Sequence, residues 1–570
     1  MTLTWRENEF KIGINMAGAV SAGAYTAGVL DFLMEALEEW QSAKGALREY
    51  LKNPGTGAPP PAVPLHDITI EVFSGASAGG MCAAIASVMV QSNFRHVTDA
   101  KAEQTNNRFY EAWVNQIDIS KLLTANDLRN GGPLISLLDS SIIDEIAEGA
   151  LKPGVPVTRE YISKSLTLFL TLTNVRGVQY KLYDDPSPTV NEFTTYYGDR
   201  IQFETTAVSG VPSAPLAKPL PLGQADTGAW GLLREAAMAT GAFPIFLAPR
   251  VLTRDLSDYN VPAWFGVNQP PPGPPIVSDL PVPPPPTIQT LNIDGGVTDN
   301  SPFNLAHDYL AGKNPLAANG HNPREAEKAN CAVITVAPFP STDRYDPDYF
   351  KKKRGLAEML DKLVTVLVSQ SRFQGESLSV LTSGTSFSRF VIAPSDPEET
   401  SRNALQCASL GAFGGFLERS FRAHDFLLGR RNCQRFLQCH FLLPFGNPVI
   451  QAGLAQADSF ASTIKSDFGQ DPERDCGAPG NWMPLIPLIG SARDAANRPA
   501  RGAIAEERVK QIADQILSRL DAIKGPLLDG AQTGGVLKCL VGLACSWPVR
   551  AFFRSKIAGM LSDALEMRHE

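Results

Sequence analysis

The chain has 570 residues, 51 of them Lys or Arg and 59 Asp or Glu, giving a net charge of -8. That balance argues against nucleic acid as the main partner, because phosphate contacts need a basic surface. Only 19% of residues are charged while 44 are proline, an apolar but globular composition that disfavours long disorder, collagen and an extended coiled coil. At roughly 150 residues per domain the length would hold three to four units.

The first ten residues place Arg6, Glu7 and Glu9 ahead of any apolar run, with no small-residue cleavage site after a hydrophobic stretch, so no signal peptide is expected. Leu540–Cys545, six residues long, is the nearest approach to a membrane-length apolar window, which falls well short of a span of roughly 20 residues. The expectation is a soluble, cytoplasmic protein, with peripheral contact at a membrane surface left open. Eight cysteines (Cys82, Cys331, Cys407, Cys433, Cys439, Cys476, Cys539 and Cys545) show no metal-type spacing, and buried, reduced thiols are expected. No metal or organic cofactor is indicated.

Phe10–Met16 reads as a strand, Ala17–Gly23 as a small-residue turn and Ala24–Trp40 as a helix. Beyond a proline-rich connector at 54–64, Ile68–Phe73 is a second strand and Ala78–Val90 a helix of small residues. Leu166–Leu172 and Ile201–Glu204 are strands, and Trp230–Ala242 is a helix closed by Phe243 and Pro244. Ten of the seventeen residues from Pro270 to Pro286 are proline, so this stretch is an extended connector. Then come the strand Ile288–Ile293, a helix from Pro302 to Ala311 and an apolar strand from Cys331 to Ala337. Alternating strand and helix implies a mainly parallel sheet covered on both faces.

Past residue 345 the pattern turns helical. Apolar stripes at Leu356, Met359, Leu360, Leu363 and Leu367, and at Val509, Ile512, Ile516, Leu520 and Ile523, the latter ending at Gly525, predict helices, with one strand at Phe387–Ala393. The reading is a catalytic domain at 1–345 and a mostly helical region at 346–570. Arg419, Arg422, Arg430, Arg431 and Arg435 fit either a contact with lipid headgroups or an acidic partner, or a solvated face paired with Glu418 and Asp425. Val536–Phe553, with Trp547, fits either a membrane-interface segment or packing onto the catalytic domain.

The sharpest chemical signal is Gly75-Ala76-Ser77-Ala78-Gly79, a GxSxG sequence between a predicted strand and a predicted helix, the context of a nucleophile elbow. Of two kinds of base, the seven histidines (His66, His96, His307, His321, His424, His440 and His569) occupy no obvious late strand end. Asp294 does stand at a strand end, followed by Gly295 and Gly296, although Asp-Gly also caps simple turns. The turn Gly18-Ala19-Val20-Ser21-Ala22-Gly23 exposes backbone N–H groups of the kind an oxyanion hole needs. It lacks the Lys and Ser/Thr of a phosphate loop and the GxGxxG of a dinucleotide site.

In this order, GAYTAGVLDFL from Gly23, GASAG around Ser77, ATGAFP at Ala239–Pro244 and DGGVTDNSPF from Asp294 resemble the patatin-like phospholipases over about residues 8–345. The resemblance implies an α/β fold, a mainly parallel sheet flanked by helices, here with a mostly helical C-terminal extension. It implies a lipid ester as substrate, Ser77 as nucleophile and Asp294 as base, with Gly18, Ala19, Val20 and Ala78 offering oxyanion N–H donors. Gly23, Gly75, Gly79, Gly295 and Gly296 are the motif glycines. One departure stands out: three glycines and a basic residue are usual in the family's oxyanion loop, whereas this chain has Gly18-Ala19-Val20 and Ala22. Ala and Val still supply N–H donors provided the loop needs no positive φ there. A Ser-His-Asp esterase and a catalytically degenerate lipid-binding scaffold are the alternatives.

Overall fold

A computed structural model describes residues 5–54, 57–129, 133–181, 193–207, 210–224, 228–267, 283–339, 386–396, 404–474, 476–494 and 496–530. The strands of the main sheet are β1 (Glu9–Met16), β2 (Asp67–Gly75), β3 (Ile162–Lys181), β4 (Phe193–Thr206), β5 (Lys218–Pro221), β6 (Arg250–Asp255), β7 (Thr287–Asp294), β8 (Cys331–Val336) and β9 (Arg389–Ile392). They form one sheet of order β5-β4-β3-β2-β1-β8-β9, with β7 beside β3 and β6 beside β7. β1 and β2 are buried along their whole lengths, as strands covered on both faces must be.

The sheet is parallel from β3 through β2, β1 and β8 to β9, as expected. The Asp294 strand is a correction: β7 runs antiparallel to both β3 and β6. The register explains why this matters. β3 is long enough to outrun its neighbour, pairing with β2 up to Leu170 opposite Gly75 and with β7 from Leu172 opposite Asp294. Because β4 occupies the other edge of β3, β2 and β7 share one edge and meet end to end. Their C-terminal ends therefore converge, which brings the turn after Gly75 against the turn after Asp294.

Helices α1 (Gly23–Lys52), α2 (Ser77–Met89), α3 (Ser141–Ala150) and α4 (Gly228–Thr240) belong to the larger core, whereas α5 (Phe303–Ala311) packs over β1, β2 and β8 on the other face. The chain after residue 345 is helical in α6 (Arg419–Cys439) and α7 (Glu506–Gly530), and it is built into the same core. β9 extends the sheet, and Phe426, Phe436 and Leu437 are buried together with Phe10, Leu30 and Trp40. α6 lies so close along α1 that a Cβ on Gly28 would strike the Phe426 carbonyl and one on Gly429 the Tyr25 carbonyl.

Three further expectations change. Three of the five α6 arginines turn inward instead of forming a lipid-facing patch or a solvated face: Arg422 and Arg430 are buried, Arg430 bonds Asp31 and Glu35 of α1, and Arg419 donates to the carbonyls of Ala100 and Ala102, whereas Arg431 is half-buried and Arg435 exposed. The long guanidinium stems let α6 satisfy backbone and carboxylate acceptors inside the core. Cys439 and Cys476 form a disulfide across 37 residues, while Cys82, Cys331, Cys407 and Cys433 are free and buried as expected. α7 continues past Gly525 to Gly530, through Pro526. The stripe at 356–367, residues 536–553, Cys539, Cys545, His569 and most of the proline connector lie outside the described residues.

Candidate active site

β2 ends at Gly75, and α2 begins at Ser77 with only Ala76 between them. So abrupt a turn forces Ser77 to φ +54°, a left-handed conformation that costs an L-residue about 1–3 kcal/mol. The flanking glycines make it sterically feasible. A Cβ on Gly79 would strike the carbonyl of Met16 and sit 2.6 Å from that of Ala17, and one on Gly75 would lie 2.7 Å from the Gly79 carbonyl. The Ser77 N–H donates to Thr240 Oγ1 at 2.9 Å, a contact from the end of α4 that fixes the elbow. Thr240 went unrecognised in the sequence although its Ala-Thr-Gly-Ala-Phe-Pro motif was visible, because a residue ending a helix gives no hint that its hydroxyl reaches another turn.

The meeting of β2 and β7 places Ser77 Oγ 2.6 Å from Asp294 Oδ2, the hydroxyl donating. The Gly296 N–H donates to Asp294 Oδ1 at 2.7 Å, so one carboxylate oxygen is held and the other faces the serine. Gly295 and Gly296 are required by proximity: a Cβ on the first would strike the Thr171 carbonyl and on the second the Asn300 side chain. Asp294 is 3% exposed, and burial raises its carboxyl from 3.8 to about 7, against the opposing pull of the Ser77 and Gly296 hydrogen bonds. Asn15 ties the two turns together from beneath, accepting from Ser74 Oγ at 3.1 Å and donating to Ser301 Oγ at 3.0 Å.

The third turn, 17–23, divides the expected donors. Gly18 does not fit the oxyanion role, because its N–H donates to the Asn300 carbonyl at 3.0 Å. Its lack of a side chain serves packing instead, since a Cβ there would strike Asn300 and come 3.0 Å from Ser77 Cβ. The N–H groups of Ala19 and Val20 have no acceptor among the described residues, and that of Ala78 lies in the unsatisfied first turn of α2. The condition on positive φ is not met: Val20 sits at φ +47°, a genuine outlier for a β-branched residue. Ala22 is fully buried, and Gly23 admits the Trp113 indole where a Cβ would clash.

Ser77, Ala78 and Val20 open onto a pocket of about 870 Å³, part of it open to solvent. Its walls are apolar throughout, from Met81 and Ile85 of α2, Ile143 and Ile146 of α3, Met238 of α4, and Phe413 and Phe416 from beyond residue 345. No histidine lines it, and His66, His96 and His424 engage Leu485, Asp31 and Asp425 respectively. A second, polar cavity lies between β4 and residues 254–267, where Arg254, Tyr259 and Asp199 satisfy one another. Among the described residues there is no metal-binding cluster, and no helix is long and apolar enough to cross a membrane.

A strained strand-to-helix elbow above a helix-covered, mainly parallel sheet defines an α/β protein of hydrolase type. The family model of the patatin-like phospholipases matches residues 14–307. The chain is also 31% identical over 582 aligned residues to an uncharacterized protein, y4iI, of Sinorhizobium fredii, a match covering 93% of this chain and 78% of that protein. The chain belongs to the patatin-like phospholipase family, whose members are typically lipid acyl hydrolases.

Proposed function

We propose that this protein hydrolyses carboxylic esters of phospholipids or lysophospholipids through a Ser77–Asp294 dyad and an acyl-enzyme. The observation that most supports this is the 2.6 Å hydrogen bond from Ser77 Oγ to Asp294 Oδ2 beside a pocket whose walls would accept an acyl chain. Ser77 Oγ attacks the ester carbonyl as its proton passes to Asp294, and the carbonyl electron pair moves onto oxygen. The oxyanion is met by the N–H groups of Val20, Ala19 and Ala78, the last assisted by the positive end of α2. Collapse expels the alcohol, which takes the proton from Asp294. Water, deprotonated by Asp294, then attacks the acyl carbon, the bond to Ser77 Oγ breaks as that oxygen takes the proton back from Asp294, and the acid is released.

Exposed apolar side chains suit a substrate drawn from a lipid surface: Ile135, Ile245, Phe246 and Leu410 are 61%, 70%, 38% and 36% exposed, and Phe246 packs against Phe413 at the pocket. Turnover of p-nitrophenyl esters and lysophosphatidylcholine by wild type, compared with Ser77→Ala, tests the reading. Ser77-dependent release of fatty acid is expected. Turnover that survives the substitution overturns the dyad, and a folded wild type inert toward every ester leaves the scaffold alternative in its place.

A further inference from the structure

We propose that residues 405–416, outside the family's span, position the oxyanion loop through Ser21 and set acyl-chain preference through Phe413 and Phe416. This inference rests on the acyl-hydrolase reading above.

Ser21 directly follows the strained Val20 and is fully buried. Its hydroxyl donates to the Ala412 carbonyl, accepts from the Gly415 N–H at 3.1 Å and lies 3.4 Å from the Cys407 carbonyl. A β-branched residue persists at positive φ only where its surroundings over-determine it, and here the fixing contacts come from some 390 residues later in the chain. The fit leaves no slack: a Cβ on Gly415 would lie 2.7 Å from Ser21 Oγ and strike Cys407 Sγ. Leu410 and Ala412 themselves stand at φ +53° and +76°, so the 405–416 turn is also held in a shape its residues do not choose.

α6 does the holding. Asp425, fully buried, accepts from the Gln406 and Cys407 N–H groups at 2.8 Å each. Arg422, three residues earlier on the same face, donates to the Gly415 carbonyl at 2.7 Å and to the Val114 carbonyl at 3.2 Å. Val114 adjoins Trp113, which lines the pocket. One pair of buried charges thus fixes both ends of the turn and one wall of the pocket. From that turn Phe413 packs edge-to-face against Phe243 and at a tilt against Phe246, with ring centroids 5.7 and 5.2 Å apart, where an acyl chain leaving Ser77 would pass.

The test compares full-length wild type, Ser21→Ala and Phe413→Ala on p-nitrophenyl butanoate and dodecanoate, alongside thermal melting. Ser21→Ala is expected to lower kcat about 10- to 100-fold with KM within about twofold, the signature of weakened oxyanion donors. Phe413→Ala is expected to lower the dodecanoate-to-butanoate ratio of kcat/KM about tenfold, because only the longer chain reaches that ring. An unchanged kcat in folded Ser21→Ala overturns the positioning role, whatever its melting temperature. If that variant does not fold, the partly exposed Phe413 decides, and an unchanged chain-length ratio overturns the proposal. A wild type without Ser77-dependent esterase activity overturns the hydrolase reading and this inference together. An active wild type with indifferent variants overturns this inference alone.

Discussion

Two turns face each other across Ser77, and they are built in opposite ways. The 294–296 turn is self-sufficient: adjacent glycines give the room, and the Gly296 N–H orients the carboxylate two residues away. The 18–23 turn is dependent, carrying Val20 at φ +47° with Ser21 locked by residues near 412. Local sequence suffices for a turn rich in glycine. Where glycine is replaced, conformational freedom gives way to tertiary support, and the supporting region becomes inseparable from the site.

The comparison breaks most severely at the dyad itself. Ser77→Ala is expected to lower kcat by roughly 10⁴-fold or more, since loss of a nucleophile leaves only binding and the oxyanion donors. Asp294→Asn should lose roughly 10³-fold or more, because an amide cannot take the serine proton, as steady-state assays would register. The same substitution carries a stability signature. A buried carboxyl raised from 3.8 to about 7 favours the folded state when protonated. That contribution is intact below about pH 4 and lost as pH rises through about 7. Denaturant unfolding should therefore find Asp294→Asn gaining stability over wild type as pH goes from 5 to 9. A gap that narrows with rising pH would contradict the raised pKa.

For activity the sign is reversed, because the base must be ionised. The kcat/KM of wild type should climb as pH rises through about 7. Asp299 is buried nearby and raised to about 7 by the same cause, so Asp299→Asn identifies the limb: its midpoint should stay where it is if Asp294 is responsible.

The smallest effect sharpens the other side of the comparison. At a left-handed position glycine avoids a penalty of about 1–2 kcal/mol that alanine keeps, so Val20→Gly should be more stable than Val20→Ala by about 1 kcal/mol in urea unfolding. The reverse order, usual in helices and strands, would show that Val20 is not held at positive φ.

Much of this was legible from local signals. Apolar runs and a glycine-flanked serine located β1, β2, α2 and the start of α1 within a few residues, since burial on both faces and a tight turn each demand particular residue types, although α1 runs on past the expected end at Trp40 to Lys52. Asp294 was equally visible at its strand end. The direction of β7 was not, because the composition of a short strand carries no mark of its orientation and only its pairing with the overlong β3 decides. Arg422 and Arg430 of α6 looked like surface charge because their Val114 carbonyl and Asp31 carboxylate acceptors lie hundreds of residues away. Val20 at positive φ and the Cys439–Cys476 bond are likewise products of packing, with no local sequence signature.

The most direct test of the dyad is peptide mapping after reaction with a fluorophosphonate, which phosphonylates an activated serine. The account predicts a single adduct on Ser77, formed at least about 10²-fold more slowly in Asp294→Asn because the base is gone. An adduct on another residue, or equal rates in the two proteins, would contradict it.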